Sequence, residues 1–112
     1  MTKTSKKIIK VAYNNNGQLA IKEIEAEKFD EVIIDDKNIN IYIHRDICNN
    51  KKWSITEEAS GFLLKSNFKN KIEARNQYEK YLKDRLIALI KNNYNIYLKA
   101  IKRFNEALNN KN

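Results

Sequence analysis

Apolar and polar positions alternate in steps of two through the first sixty-odd residues of this 112-residue chain. Such alternation is typical of half-buried β-strands. The segments that show it are 6–13, 18–25, 31–34, 39–48, 51–56 and 62–65. Residues 14–17 (Asn-Asn-Asn-Gly) separate the first two, and because Asn and Gly tolerate positive φ they predict a hairpin turn. Consecutive strands joined by short turns predict an antiparallel meander of four to six strands.

Near Phe68 the spacing changes to the three- and four-residue steps of an amphipathic helix. Ser66 or Asn67 is a suitable N-cap residue. A single helix over 68–108 would be about 60 Å long at 1.5 Å per residue. Since that is long for so small a sheet, we expect two helices with a break near 92–93, and one continuous helix is the alternative. The apolar stripe consists of Ile72, Tyr78, Leu82, Leu86, Ile90, Tyr94, Tyr97, Ile101, Phe104 and Leu108.

These patterns predict an α+β fold: an N-terminal antiparallel β-meander followed by one or two amphipathic helices packed on the sheet. The length and the 42% hydrophobic content fit one domain over 1–112 with one modest core. We expect a β-rich, net-neutral part over 1–66 and a helical, strongly basic part over 67–110.

The net charge of +8 comes entirely from the last third of the chain. Residues 1–64 hold ten Lys/Arg and ten Asp/Glu, whereas residues 65–112 hold twelve Lys/Arg and four Asp/Glu. Asn, Ile and Lys make up 51 of the 112 residues, a composition typical of AT-rich genes. An AT-rich genome favours lysine codons and so explains the total number of lysines, but it does not explain their uneven distribution along the chain. The asymmetry therefore predicts contact with an anionic partner.

Basic residues on the side of the helices opposite the apolar stripe are the candidate site for nucleic acid or another partner. We call them the basic helical face: Lys69, Lys80, Arg85, Lys91, Lys99, Lys102 and Arg103. The simpler alternative is a solvated outer surface of helices that cover the sheet. Tyr81 lies toward the basic side, where aromatic rings can stack on bases, whereas we expect Tyr78, Tyr94 and Tyr97 in the core. A membrane partner is not expected, because the apolar side of the helices is needed to cover the sheet.

Few residues are candidates for catalysis or metal binding. His44, Asp46 and Cys48 fall at alternate positions of one predicted strand and are all ligand types, but we interpret them as a solvated polar strand face. The His44 and Cys48 side chains would lie about 13 Å apart at 3.3 Å per residue, too far for a nucleophile–base pair. Glu57 and Glu58 flank a predicted turn, where carboxylates cap helices or face water. Because no phosphate-binding or zinc-protease motif is present, we expect a protein that is not an enzyme and has no cofactor or metal.

The sequence predicts a location in the bacterial cytoplasm. No apolar run approaches the roughly 18 residues of a membrane span, and no signal-peptide pattern follows the charged N-terminus. One cysteine cannot form an internal disulfide bond, which fits a reducing compartment.

Two short segments resemble nucleic-acid-binding motifs. Residues 61–76 (GFLLKSNFKNKIEARN) resemble the end of a double-stranded-RNA-binding domain, where a strand leads into a helix whose first lysines contact phosphates. This resemblance implies that role for Lys69 and Lys71. Residues 56–81 alternatively resemble a helix-turn-helix, with a first helix over 57–64 and a recognition helix from Lys69 onward.

In kind, a short, cysteine-poor, motif-free chain with a meander and a charged helical end resembles the accessory proteins of phages and plasmids. This group includes anti-CRISPR inhibitors of host defence nucleases, many of which act stoichiometrically, by occluding a nucleic-acid channel or by bridging enzyme and guide. The resemblance implies a basic face that contacts guide RNA, DNA or an acidic patch of the nuclease complex. We therefore expect a mobile-element inhibitor; the alternatives are a DNA-binding transcriptional regulator and a protein-interaction module whose sheet edge pairs with a partner strand.

Overall fold

A computed structural model describes residues 6–47 and 49–109 of the chain. It confirms the predicted α+β fold: a five-stranded antiparallel meander in the order β1-β2-β3-β4-β5, followed by helices. The strands are β1 (Lys6–Asn15), β2 (Gln18–Ile34), β3 (Lys37–Arg45), β4 (Trp53–Glu57) and β5 (Phe62–Phe68). The helices are α1 (Lys71–Gln77), a π-helical turn (Tyr78–Leu82), α2 (Lys83–Asn92) and α3 (Tyr94–Asn109).

The β1–β2 hairpin turns at Asn16 and Gly17, whose φ angles of 55° and 87° are those that a tight hairpin turn requires. This confirms the predicted turn. We predicted two strands in the region that β2 occupies, and this prediction is wrong, because β2 is one strand of 17 residues. A register shift between Lys28 and Asp30 marks a β-bulge at Phe29. The extra residue reverses the phase of the alternation of apolar and polar residues. The sequence pattern was therefore interpreted as the end of one strand.

The bulge lets β2 contribute to cores on both faces of the sheet. Before it, Ala26 packs on one face with Ile9, Val11 and Tyr42. After it, Val32 packs on the opposite face. There it belongs to the main core with Ile34, Ile39, Ile41, Ile43, Ile55, Phe68, Ala74, Tyr78, Leu82, Leu86, Ile90 and Tyr97. The helices thus cover one face of the sheet, as predicted.

The other face closes on itself because the sheet curls. The first and last strands meet where the Ala12 amide donates a hydrogen bond of 3.2 Å to the Gly61 carbonyl. The smaller core around Ile9 and Val11 lies inside this half-open barrel. No helix is needed there, which explains how so few helices complete the fold.

The helical segment begins later than predicted. The N-cap is Asn70, whose side chain accepts from the Glu73 amide at 2.8 Å. The Glu73 carboxylate in turn accepts from the Lys69 amide at 2.7 Å, an arrangement similar to a capping box. Ser66 and Asn67 are not N-caps, because they lie within β5, which extends to the buried Phe68.

Asn93 separates the two helical segments, which confirms the predicted break. Its φ of −135° and ψ of 49° are not helical, and its carbonyl accepts from the Ile96 amide at the start of α3. Ile72 does not belong to the buried stripe, since 74% of its surface is exposed. Ala74 is buried instead and begins a series of four-residue steps that continues through Tyr78 to Ile90. In a regular α-helix such steps drift by about 40° each, and the wider π turn compensates for part of this drift.

Candidate functional site

Acidic side chains of β2 neutralise two lysines of the helical segment. Lys71 Nζ lies 2.6 Å from Glu27 Oε1, and Lys83 Nζ lies 3.4 Å from Asp30 Oδ2. Asp30 also accepts a hydrogen bond of 2.6 Å from the buried Tyr78 hydroxyl. These contacts attach the first helical segment to the bulged strand. Lys71, for which the resemblance to double-stranded-RNA-binding domains implied a phosphate contact, therefore has a structural partner.

Arg75 has a similar attachment. Its guanidinium donates to the Phe29 carbonyl at 3.3 Å and lies 4.0 Å from the centre of the Phe29 ring. The bulge that takes Phe29 out of the regular ladder thus provides both an acceptor and an aromatic surface for this arginine. Three helical cations are consequently occupied by contacts with the sheet.

All seven predicted residues of the basic helical face are exposed. Within the described ranges 6–47 and 49–109, none of the seven forms an ion pair. No carboxylate oxygen of the described residues therefore lies within 4.0 Å of their charged nitrogens. Lys69 lies between β5 and α1, Lys80 lies in the π turn, Arg85 and Lys91 lie on α2, and Lys99, Lys102 and Arg103 lie on α3.

The helical tyrosines divide as predicted. Tyr78 and Tyr97 are buried and Tyr94 is partly buried against the main core. Tyr81 is half exposed, and Lys80 Nζ lies 5.6 Å from the centre of its ring. Tyr81 therefore remains available to a partner, next to a residue of the basic helical face.

A buried carboxylate that the sequence did not predict organises the turn between β4 and β5. Glu57, expected at a turn or in water, is fully buried. It accepts from the Ala59 amide at 2.7 Å, from the Ser60 amide at 3.0 Å and from the Ser60 hydroxyl at 2.6 Å. Tyr97 of α3 is near enough for the Glu57 charge, after burial, to raise the pKa of the Tyr97 hydroxyl. Glu57 therefore fixes the turn that precedes β5, beside the helix that carries three residues of the basic helical face.

Gly61, at the end of the same turn, packs closely against α3. Gly61 has a φ of +64°, and a Cβ built there would overlap the ring of the buried Phe104. A glycine that follows a Glu-Glu-Ala-Ser turn is a sequence signal for a tight approach. It gives no indication of which helix approaches.

His44 does not belong to a solvated strand face, so that prediction is wrong. It is buried, with Nδ1 2.7 Å from the Arg45 carbonyl and Nε2 2.7 Å from Thr56 Oγ1. Because a carbonyl only accepts, Nδ1 carries the proton and Nε2 accepts from the threonine in the neutral ring. Burial lowers the pKa of His44, which also favours the neutral form. The ring therefore has a structural role between β3 and β4.

The described residues contain no group of three His, Cys, Asp or Glu side chains placed to hold a metal ion. Cys48, the third member of the set with His44 and Asp46, lies outside these residues. Among the described helices, none is both long enough and apolar enough to cross a membrane.

Comparison of the chain with protein-family models, with curated proteins and with solved structures finds no match.

Proposed function

We propose that this protein is a small non-enzymatic binding protein whose basic helical face engages nucleic acid or a nucleic-acid-processing complex. The observation that supports it is the division of the helical cations into two groups. Lys71, Arg75 and Lys83 are bound to β2, whereas the seven residues of the basic helical face are exposed and have no acidic partner among the described residues. Exposed cations without acidic partners attract phosphates and release their counterions.

Measured binding to a labelled duplex and to a labelled single strand, each over a range of salt concentrations, tests this proposal. If all seven residues contact phosphates, the logarithm of the affinity for duplex DNA falls with the logarithm of salt with a slope of about −6, at about −0.9 per contact. The variant Lys99→Glu/Lys102→Glu should weaken binding and make the slope about two units shallower. Fluorescence anisotropy measures both quantities.

A matched control is Lys22→Glu/Lys51→Glu in the sheet part of the chain. Both lysines are exposed, and neither forms an ion pair among the described residues. Each substitution changes the charge by two, so both double variants lower the net charge from +8 to +4. Equal loss of affinity in the two variants would mean that total charge matters and the basic helical face does not.

The same surface suits a mobile-element inhibitor of a host defence nuclease, since a small protein that occupies a nucleic-acid channel needs cations but no catalytic group. The size of this chain and its amino-acid composition, which is typical of an AT-rich gene, fit that class of protein. Expression in a bacterium whose nuclease-based immunity restricts a phage should then restore plaque formation. Restoration that persists in Lys99→Glu/Lys102→Glu would show that inhibition does not use this face.

A further inference from the structure

Phe62, at the start of β5, is an aromatic residue that the fold does not bury, since 51% of its surface is exposed. It pairs with Glu57 in the β4–β5 ladder. Its amide donates to Ser60 Oγ at 3.2 Å, and Ser60 is itself bound to the buried Glu57. The backbone of Phe62 is therefore fixed while its ring faces solvent.

Phe62 lines two neighbouring grooves. One, of about 250 Å³, separates it from Leu82, Arg85 and Leu89 of the helical segment. The other, of about 430 Å³, lies between the β1–β2 hairpin, the β4–β5 turn and α3, where Arg103 lines it. Both grooves are mainly apolar, so each can hold a flat apolar surface beside the ring.

Each groove has one arginine and no carboxylate among the described residues that line it. Arg85 and Arg103 are exposed and form no ion pair within the same described ranges. Arginine binds phosphate through two parallel hydrogen bonds and also stacks on planar rings. The grooves thus combine apolar walls with a charge that attracts phosphate.

Tyr81 offers a second aromatic surface near Arg85. It is 50% exposed and precedes Arg85 by four residues, so the two lie on the same side of the helix. Alternating aromatic and cationic side chains are the usual means of binding a single strand, in which bases stack on rings and phosphates meet cations. A duplex does not offer its base faces in this way, because they are stacked inside it.

We propose that the surface formed by Phe62, Arg85 and Arg103, together with Tyr81, binds single-stranded nucleic acid. A base stacks on the Phe62 ring, the neighbouring bases enter the two grooves, and the arginines contact the phosphates. This inference depends on the proposed function and narrows it from nucleic acid in general to a single strand.

Fluorescein-labelled oligo(dT) and oligo(rU) of about 15 nucleotides are suitable probes, since that length spans a typical single-strand site. Phe62→Leu keeps an apolar side chain but removes the ring, whereas Phe62→Tyr keeps the ring. We expect at least about fivefold weaker binding for Phe62→Leu and at most about twofold for Phe62→Tyr, because stacking of one base on an aromatic ring contributes about fivefold or more to the affinity. Affinity for a duplex of the same length should be the same in both variants.

Arg85→Lys is a second variant, which changes an exposed helix residue and keeps the charge. We expect several-fold weaker binding of oligo(dT), because lysine cannot provide the planar two-pronged contact. Circular dichroism of each variant confirms that it is folded. Wild-type affinity in both Phe62→Leu and Arg85→Lys would overturn the inference.

The outcomes separate this inference from the function on which it depends. If Lys99→Glu/Lys102→Glu loses binding while Phe62→Leu does not, the basic helical face binds nucleic acid and the single-strand site is wrong. If the wild-type protein binds neither strand nor duplex, the single-strand inference is overturned, and of the proposed function only a nucleic-acid-processing complex stays as the partner. If a labelled peptide of alternating Glu and Leu binds in a Phe62-dependent way while oligo(dT) does not, the surface belongs to a protein partner and the inference is overturned.

Discussion

Replacement of the buried Glu57 by glutamine should strongly destabilise this protein. The carboxylate accepts from the Ala59 amide through Oε2 and from the Ser60 amide and hydroxyl through Oε1. Glutamine has almost the same shape but only one acceptor oxygen. In either orientation its NH₂ group faces at least one N–H donor that the carboxylate now satisfies. The Tyr97 hydroxyl, whose pKa the Glu57 charge raises in addition to burial, loses that neighbouring charge.

The expected cost follows from these contacts. A hydrogen bond to a charged group contributes about 1.5–3 kcal/mol, and a donor left without a partner costs about 1–3 kcal/mol. Since the best orientation of glutamine keeps the two Ser60 contacts, we expect a loss of about 2–4 kcal/mol of unfolding free energy. Domains of this size have about 5–15 kcal/mol in total. The variant should therefore fold but be markedly less stable.

Urea denaturation followed by the fluorescence of Trp53, the only tryptophan, measures this loss. At about 2 kcal/mol per molar urea, the midpoint should fall by about 1–2 M. Glu58→Gln is the matched control, since the neighbouring carboxylate is partly exposed and pairs with Lys7 at 2.5 Å. A pair of that kind contributes at most about 1 kcal/mol. Equal midpoints for the two variants would refute our account of Glu57 as the buried acceptor that fixes the β4–β5 turn.

Three further predictions concern titration and backbone conformation. Burial raises the pKa of Tyr78 and of Tyr97 above the ordinary 10.0, so stability is complete below pH 10 and falls above it. Urea denaturation at a series of pH values above 10 should show the unfolding free energy falling by about 1.4 kcal/mol per pH unit for each tyrosine. The fall should be smaller in Tyr78→Phe. Burial lowers the pKa of His44 below 6.5, so stability is complete above pH 6.5 and falls as the pH decreases further; denaturation of His44→Gln should lack this component. Gly61→Ala should lower the melting temperature more than Gly17→Ala, since both have positive φ but only Gly61 meets a ring; equal shifts would contradict this packing.

The sequence predicted the order and type of the elements because the alternation of apolar residues is a local property. It failed where one residue changes the phase. The bulge at Phe29 moves Ala26 and Val32 to opposite faces although they are six positions apart, so one long strand resembled two short ones. The N-cap was misplaced for a related reason, since the core position of Phe68 extends β5 and leaves Asn70 to begin the helix.

The candidate site was predictable only in part. The helical period places Lys99 and Lys102 opposite the buried Tyr97 and Phe104, and this needs no knowledge of the sheet. The groove around Phe62 joins residues from a hairpin, a turn and two helical segments. No periodicity relates those segments, so Phe62 was interpreted only as a strand residue.

The bulge in β2 also determines which cations of the helical segment are free. Cross-strand partners share a face of the sheet, and Glu27 pairs with Ile43 while Asp30 pairs with Ile41. Both acids therefore lie on the helix-covered face, although one has an odd and the other an even position. If β2 were regular and Phe29 paired with Ile41, Asp30 would pair with Asn40 and point to the opposite face, and Lys83 would have no acid at this place. The β-bulge at Phe29, which made β2 resemble two strands in the sequence, thus also separates two groups of cations. One group holds the helical segment on the sheet, and the other is exposed for a partner.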